Sequence, residues 1–120
     1  MDILIVEDDT SIAQLLKQGL ELHGYTCATA GSGEEAMKII GSEVPSLILL
    51  DIMLPKVDGF EIAKRIRKDE RTKGIPIIGL TALDIPGTAE KAQKAGMNTV
   101  LFKPFNSETL HKKIAEYLKK

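Results

Sequence analysis

Residues 46–51 read Ser-Leu-Ile-Leu-Leu-Asp, and residues 3–9 read Ile-Leu-Ile-Val-Glu-Asp-Asp. In both stretches the apolar side chains are consecutive rather than alternate. A strand with one wet face alternates; a strand covered on both faces need not. Buried parallel strands are therefore predicted at Ile3–Val6 and Ser46–Leu50. Both apolar runs stop at acids.

Outward from these two, Tyr25–Thr29, Ile75–Leu80 and Thr99–Phe102 also read as strands. Helical spacing fills the gaps. Ile12, Leu15, Leu16 and Leu20 mark a first helix, with Gly24 as its stop. Ala36, Ile39 and Ile40 mark a second, followed by Gly41. Phe60, Ala63 and Ile66 mark a third, and Ala89, Ala92 and Ala95 a fourth with small residues only. Leu110, Ile114, Tyr117 and Leu118 mark a fifth. Five strand-then-helix units predict an α/β fold. Its five-stranded parallel sheet is wound by right-handed crossovers, with helices on both faces. In such sheets, ligands gather at the carboxyl ends of the strands.

The chain of 120 residues is expected to be one domain spanning 1–120, since two would each approach the lower limit for independent folding. It has no linker, repeat or low-complexity segment, and no effector domain is expected beyond the last helix. One cysteine, Cys27, cannot cross-link the chain internally. No apolar run reaches the length of a membrane span, and the acidic start is unlike a signal peptide. A cytoplasmic location without membrane contact is expected. The net charge of −1 argues against coating nucleic acid by charge alone. That sum hides a split. Residues 1–60 carry ten acids and three bases, −7, whereas residues 61–120 carry thirteen bases and seven acids, +6.

The strand ends carry the chemistry. The first runs into Glu7-Asp8-Asp9, the third into Asp51, the fourth into Thr81-Ala82, the fifth into Lys103-Pro104. Asp9 is read as the cap of the first helix. Glu7, Asp8 and Asp51 would repel one another unless a hard divalent cation with oxygen ligands, such as Mg²⁺, relieved them. Asp51, after four apolar residues, is either a nucleophile able to form an acyl phosphate or an aspartate stabilising the turn before Pro55. Thr81 is either a β-branched strand residue or a hydroxyl donor to a phosphoryl oxygen. Lys103 is either an exposed lysine or a cation offsetting phosphoryl charge. Pro104 admits a cis peptide after Lys103.

Taken in order, LIVEDD at 4–9, LILLDIMLPKVDGFE at 47–61, IPIIGLTA at 75–82 and LFKPF at 101–105 closely resemble the response-regulator receiver family, the CheY-like domains of two-component signalling. Thirty residues separate Asp51 from Thr81, and twenty-two more lead to Lys103. The resemblance spans the whole chain. It implies a doubly wound, flavodoxin- and CheY-like fold with strand order 2-1-3-4-5. It also implies that Asp51 takes a phosphoryl group from a phosphohistidine on a sensor histidine kinase or histidine phosphotransfer protein, and then switches a downstream protein partner. On this reading Asp8, Asp51 and the backbone carbonyl of Met53 ligate Mg²⁺, and Glu7 holds it through water. Thr81 and the Ala82 amide bind phosphoryl oxygens, Lys103 pairs with the phosphoryl group, and Pro55 and Gly59 shape the following loop. Such a module is a switch, not an enzyme acting on a separate substrate.

The chain also departs from the family. Val100 stands where many receivers have an aromatic residue that moves with the threonine. Met53 and Leu83 are apolar beside the path of attacking water, so slow self-hydrolysis of the acyl phosphate is expected. Gly96–Val100 lacks the Asp-Asp-Tyr run of OmpR-type regulators, which suits a stand-alone receiver or one excised from a hybrid kinase. His23 and His111 are expected to face solvent, Cys27 to lie in the core, and Lys64, Arg65, Arg67, Lys68, Arg71 and Lys73 to form a solvated helix face. Ile12–Leu15 match a kinase-docking region in position. No aromatic residues interleave with the basic run, so no direct nucleic-acid contact is expected. A haloacid-dehalogenase-type phosphatase would want Asp-x-Asp where Asp51-Ile52-Met53 stands. A flavodoxin-like cofactor binder would want phosphate-binding amides where Glu7-Asp8-Asp9 stands, and no Walker loop is present.

Overall fold

A computed structural model describes residues 1–54, 58–82 and 86–118. Five strands alternate with five helices. They are β1 (Ile3–Val6), α1 (Thr10–Leu22), β2 (Cys27–Ala30), α2 (Gly33–Ser42), β3 (Leu47–Asp51), α3 (Gly59–Lys68), β4 (Ile77–Thr81), α4 (Thr88–Ala95), β5 (Thr99–Phe102) and α5 (Ser107–Tyr117). The strands form one parallel sheet in the order β2-β1-β3-β4-β5.

The consecutive apolar residues divide by parity. Leu4, Val6, Ile48 and Leu50 point to the face covered by α2, α3 and α4, where Ala36, Ile40, Ile62, Ile66 and Ala92 pack. Ile3, Ile5, Leu47 and Leu49 point to the other face, onto Leu20 of α1 and Leu110 and Ile114 of α5. Each strand thus contributes to two cores, which is why its sequence does not alternate.

Four helices begin on a side chain that accepts a backbone N–H three residues on. Asp9 accepts from Ile12, Ser32 from Glu35, Asp58 from Glu61 and Asn106 from Thr109. The role read for Asp9 is the one it plays. Helix α4 differs: its N-cap is Gly87 in the left-handed region, φ 93°, with no side-chain cap, while Gly96 at φ 104° closes its other end.

The structure moves several boundaries and faces. Strand β2 starts at Cys27 rather than Tyr25, β4 at Ile77 rather than Ile75, and β3 and β4 run one residue further, so Asp51 and Thr81 end their strands instead of following them. On α1 the face against the sheet is Ala13, Leu16 and Leu20; Ile12 and Leu15 point outward, Leu15 at 70% exposure. The small Ala13 sets the close approach, which turns its apolar neighbours away. Ala89 is likewise exposed, leaving Ala92 and Ala95 buried on α4. Cys27 is half-buried against the α1–α5 core rather than within it.

Candidate phosphoryl and metal site

Parallel register brings the strand ends to one rim. Val6 pairs with Leu50, Asp51 with Leu80 and Thr81 with Phe102, so Glu7, Asp51, Thr81 and Lys103 emerge along a stepped edge. The backbone secures each step. Glu7 N–H donates to Ala30 O at 2.9 Å, and Lys103 N–H to Thr81 O at 2.7 Å.

The carboxylates are deep. Glu7 is 3% exposed and Asp51 5%, whereas Asp8 lies open to solvent. Carboxylate oxygens of all three come within 4.8 Å of one another. Lys103 Nζ answers them from 3.5 Å to Asp51 Oδ2 and 3.7 Å to Glu7 Oε1. One ammonium is divided between two buried acids, with Asp8 a third acid beside them. Glu7 Oε2 is buried with no hydrogen-bond partner among the described residues. Burial, the hydrogen bond that a protonated Glu7 makes to Asp51, and the Asp51 charge push the Glu7 carboxyl up to about 8; Lys103 pulls the other way and Asp8 adds a little to the rise.

An orphaned buried oxygen beside two further carboxylates is a donor set that a small hard cation satisfies. The chemistry of the residues present therefore fits Mg²⁺. Met53 belongs to the same loop: its N–H donates to Asp51 Oδ1 at 3.0 Å, and its side chain is exposed.

Gly59 has a definite role. Its N–H donates to Ile52 O at 2.8 Å. A Cβ there would lie 2.6 Å from Ile52 Cα and 2.8 Å from Asp51 O. Only glycine lets the start of α3 press onto the backbone that carries Asp51. Thr81 is buried and Ala82 exposed at the end of β4. The Lys103–Pro104 peptide is cis. Val100 is half-buried against the α2–α4 side of the core. Pro55 and Leu83 lie outside the described residues.

Two sequence readings need correction. Arg67 is not part of a solvated face. Its guanidinium lies half-buried and donates to Gly96 O at 2.8 Å, Ile75 O at 2.7 Å, Lys73 O at 3.0 Å, Thr72 O at 3.4 Å and Asn98 Oδ1 at 3.0 Å. Asn98 Oδ1 also accepts from Ile77 N–H. The signal was its spacing: Phe60, Ala63 and Arg67 recur at i, i+3, i+7 on the buried side of α3. The histidines are not simply solvated either, for their rings stack on each other at 3.7 Å.

A groove of about 430 Å³ runs between α1 and the start of α5, walled by Ile12, Leu15, Leu16, Phe105 and Leu110, with Lys103 at the site end and His23 on its wall. No helix among the described residues is long and apolar enough to cross a membrane.

Comparison with known proteins agrees with this layout. The family described as the response regulator receiver domain matches residues 3–115. A putative response regulator from Chloroflexus aurantiacus superposes with a TM-score of 0.93 at 35% identity, covering 99% of this chain and 98% of that one. Chemotaxis protein CheY4 of Vibrio cholerae superposes with a TM-score of 0.93 at 33% identity, over 98% of each chain. The DNA-binding dual master transcriptional regulator RpaA of Synechocystis is 38% identical over 118 residues, 98% of this chain and 49% of its own. The chain spans about half the length of the curated relatives it matches. The proteins of this family are response regulators, which work with histidine kinases and use Mg²⁺. With its five parallel strands in the order 2-1-3-4-5 and its acidic rim, the chain belongs to the response regulator receiver domain family.

Proposed function

We propose that Asp51 is the phosphoacceptor of a cytoplasmic switch, charged by a phosphohistidine on a sensor histidine kinase or histidine phosphotransfer protein. One observation carries this reading: a buried aspartate lies with two further acids and a lysine 3.5 Å away, beside a buried Glu7 oxygen with no hydrogen-bond partner among the described residues.

An Asp51 carboxylate oxygen attacks phosphorus, the P–N bond breaks, and the imidazole keeps the electron pair. The Met53 N–H holds Asp51 Oδ1, which leaves Oδ2 to react. Lys103 already faces Oδ2 and moves its pairing to the incoming phosphoryl oxygens. The Thr81 hydroxyl and the Ala82 N–H receive the remaining oxygens. Asp8, Asp51 and the Met53 carbonyl would hold Mg²⁺, with Glu7 reaching it through water, and the ion would supply charge neutralisation for the phosphoryl oxygens. The outward-turned Ile12 and Leu15, with Phe105, offer the donor protein an apolar seat beside the site. The phosphorylated chain then changes its contacts with a downstream protein, without direct nucleic-acid or membrane contact and without acting as an enzyme on a separate substrate.

Intact-mass measurement after incubation with Mg²⁺ and a small acyl-phosphate donor tests this. One added phosphate, absent in Asp51→Asn and in the presence of excess chelator, is the expected result. No adduct from any small donor or phosphohistidine protein overturns it.

A further inference from the structure

His23 closes α1, its N–H bonded to Leu20 O, and His111 sits on α5. Their rings stack at 3.7 Å between centroids and 13° between planes. The backbones beneath them are fixed. Leu20 precedes His23, Leu110 and Ile114 flank His111, and all three are buried in one core. The Tyr25 ring stands 6.1 Å from His111. His23 is exposed and His111 half-buried. Among the described residues, neither imidazole takes part in a hydrogen bond or an ion pair.

Two imidazoles on a rigid scaffold are suited to zinc, nickel and copper. From this juxtaposition we propose that His23 and His111 form a two-nitrogen site for a borderline divalent transition-metal ion, with water in the other positions. Ligand chemistry separates it from the acidic rim, whose oxygens favour a hard cation. Stacked rings point their lone pairs along parallel planes. Capture therefore requires one ring to turn about its Cβ–Cγ bond, a broad torsion for histidine, and the exposed His23 has the room. The bound ion ties the C-terminus of α1 to α5 and sits on the wall of the α1–α5 groove, which His23 lines.

The test uses the full chain carrying Cys27→Ser, with saturating Mg²⁺ to occupy the acidic rim, at a pH where imidazole is neutral. Ni²⁺ and Zn²⁺ are titrated by calorimetry and by thermal melting. One ion per chain is expected, with a melting temperature that climbs with the logarithm of ion concentration. His23→Ala and His111→Ala should each lose that climb and most of the affinity. Spectroscopy of added Cu²⁺ should count two imidazole nitrogens. The native chain supplies a readout independent of any variant: Ni²⁺ should broaden the ring proton signals of both histidines together. Unchanged affinity in either variant, one nitrogen on Cu²⁺, broadening of one ring only, or no binding would reduce the stack to a packing contact.

Discussion

The two ends of the sheet bury charge in opposite ways. At the amino ends of β4 and β5, Arg67 meets five acceptors drawn from two chain segments, 72–75 and 96–98. Its pKa is lowered by burial alone, yet each of its three nitrogens has an acceptor. At the carboxyl ends, Glu7 and Asp51 share one lysine, and Glu7 Oε2 has no hydrogen-bond partner among the described residues. A buried charge with a full set of partners is a joint. One kept short of partners is held ready for a ligand.

The largest test breaks the joint. Arg67→Ala should destabilise the chain by about 3–5 kcal/mol, because it removes the charge and orphans the carbonyls of Ile75 and Gly96. Urea unfolding reads this. Arg67→Lys should recover only a minor part, since an ammonium lacks the fork that reaches Gly96 and Asn98 together. Full recovery by lysine would make the joint one of simple charge.

At the rim the sign should reverse. Glu7→Gln removes a charge that the metal-free fold satisfies only in part, through Lys103, so at pH 8.5 it should stabilise that form by about 1–3 kcal/mol. The same variant should weaken Mg²⁺ binding. Destabilisation at that pH would place Glu7 with Arg67 among the satisfied groups.

Acidity gives a graded version. A carboxyl raised from 4.5 to about 8 in the fold stays neutral there while the unfolded chain ionises. The unfolded state then binds fewer protons, so stability falls as pH rises. This contribution is intact below about pH 4.5, is lost progressively above it, and is gone above about pH 8. Melting curves without Mg²⁺ should slope down across that window. Saturating Mg²⁺ should flatten the slope and raise the melting temperature by a few degrees, most at the alkaline end. Equal slopes with and without Mg²⁺ would contradict a rim poised for a cation.

The smallest effect belongs to charge placed in water. Leu22 on α1 is 88% exposed, so Leu22→Lys should change stability by no more than about 0.5 kcal/mol. A larger loss, read by the same urea unfolding, would mean that this face is covered in solution.

Much of this was legible in the chain. Consecutive apolar residues at 3–6 and 47–50 announced strands buried on both faces, and the acids that ended them marked the rim. Charge arithmetic located the raw material of the site, with Glu7, Asp8 and Asp51 in the acidic half and Lys103 in the basic half. What escaped depended on contacts between distant segments. Arg67 looks like Lys64 or Arg65 until the Gly96 turn is brought against it. The outward face of α1 was misread because hydrophobicity ranks Ile12 and Leu15 above Ala13, whereas the sheet selected the small residue that permits close approach. The meeting of His23 and His111 needs the docking of α5 on α1, and no local pattern carries that.

Helix α4 is held unequally at its two ends. Its far end is bolted: Arg67 holds Gly96 O, and a Cβ at Gly96 would strike the Arg67 side chain at 2.5 Å. Its near end, at Gly87, has no side-chain cap among the described residues. Eight residues make a rod about 12 Å long, so a tilt of about 10° at the bolt carries the loose end about 2 Å. A rod secured at one end is a lever. A push on α4 at its Gly87 end would turn it about Gly96 and re-aim the surface it presents without breaking its own hydrogen bonds.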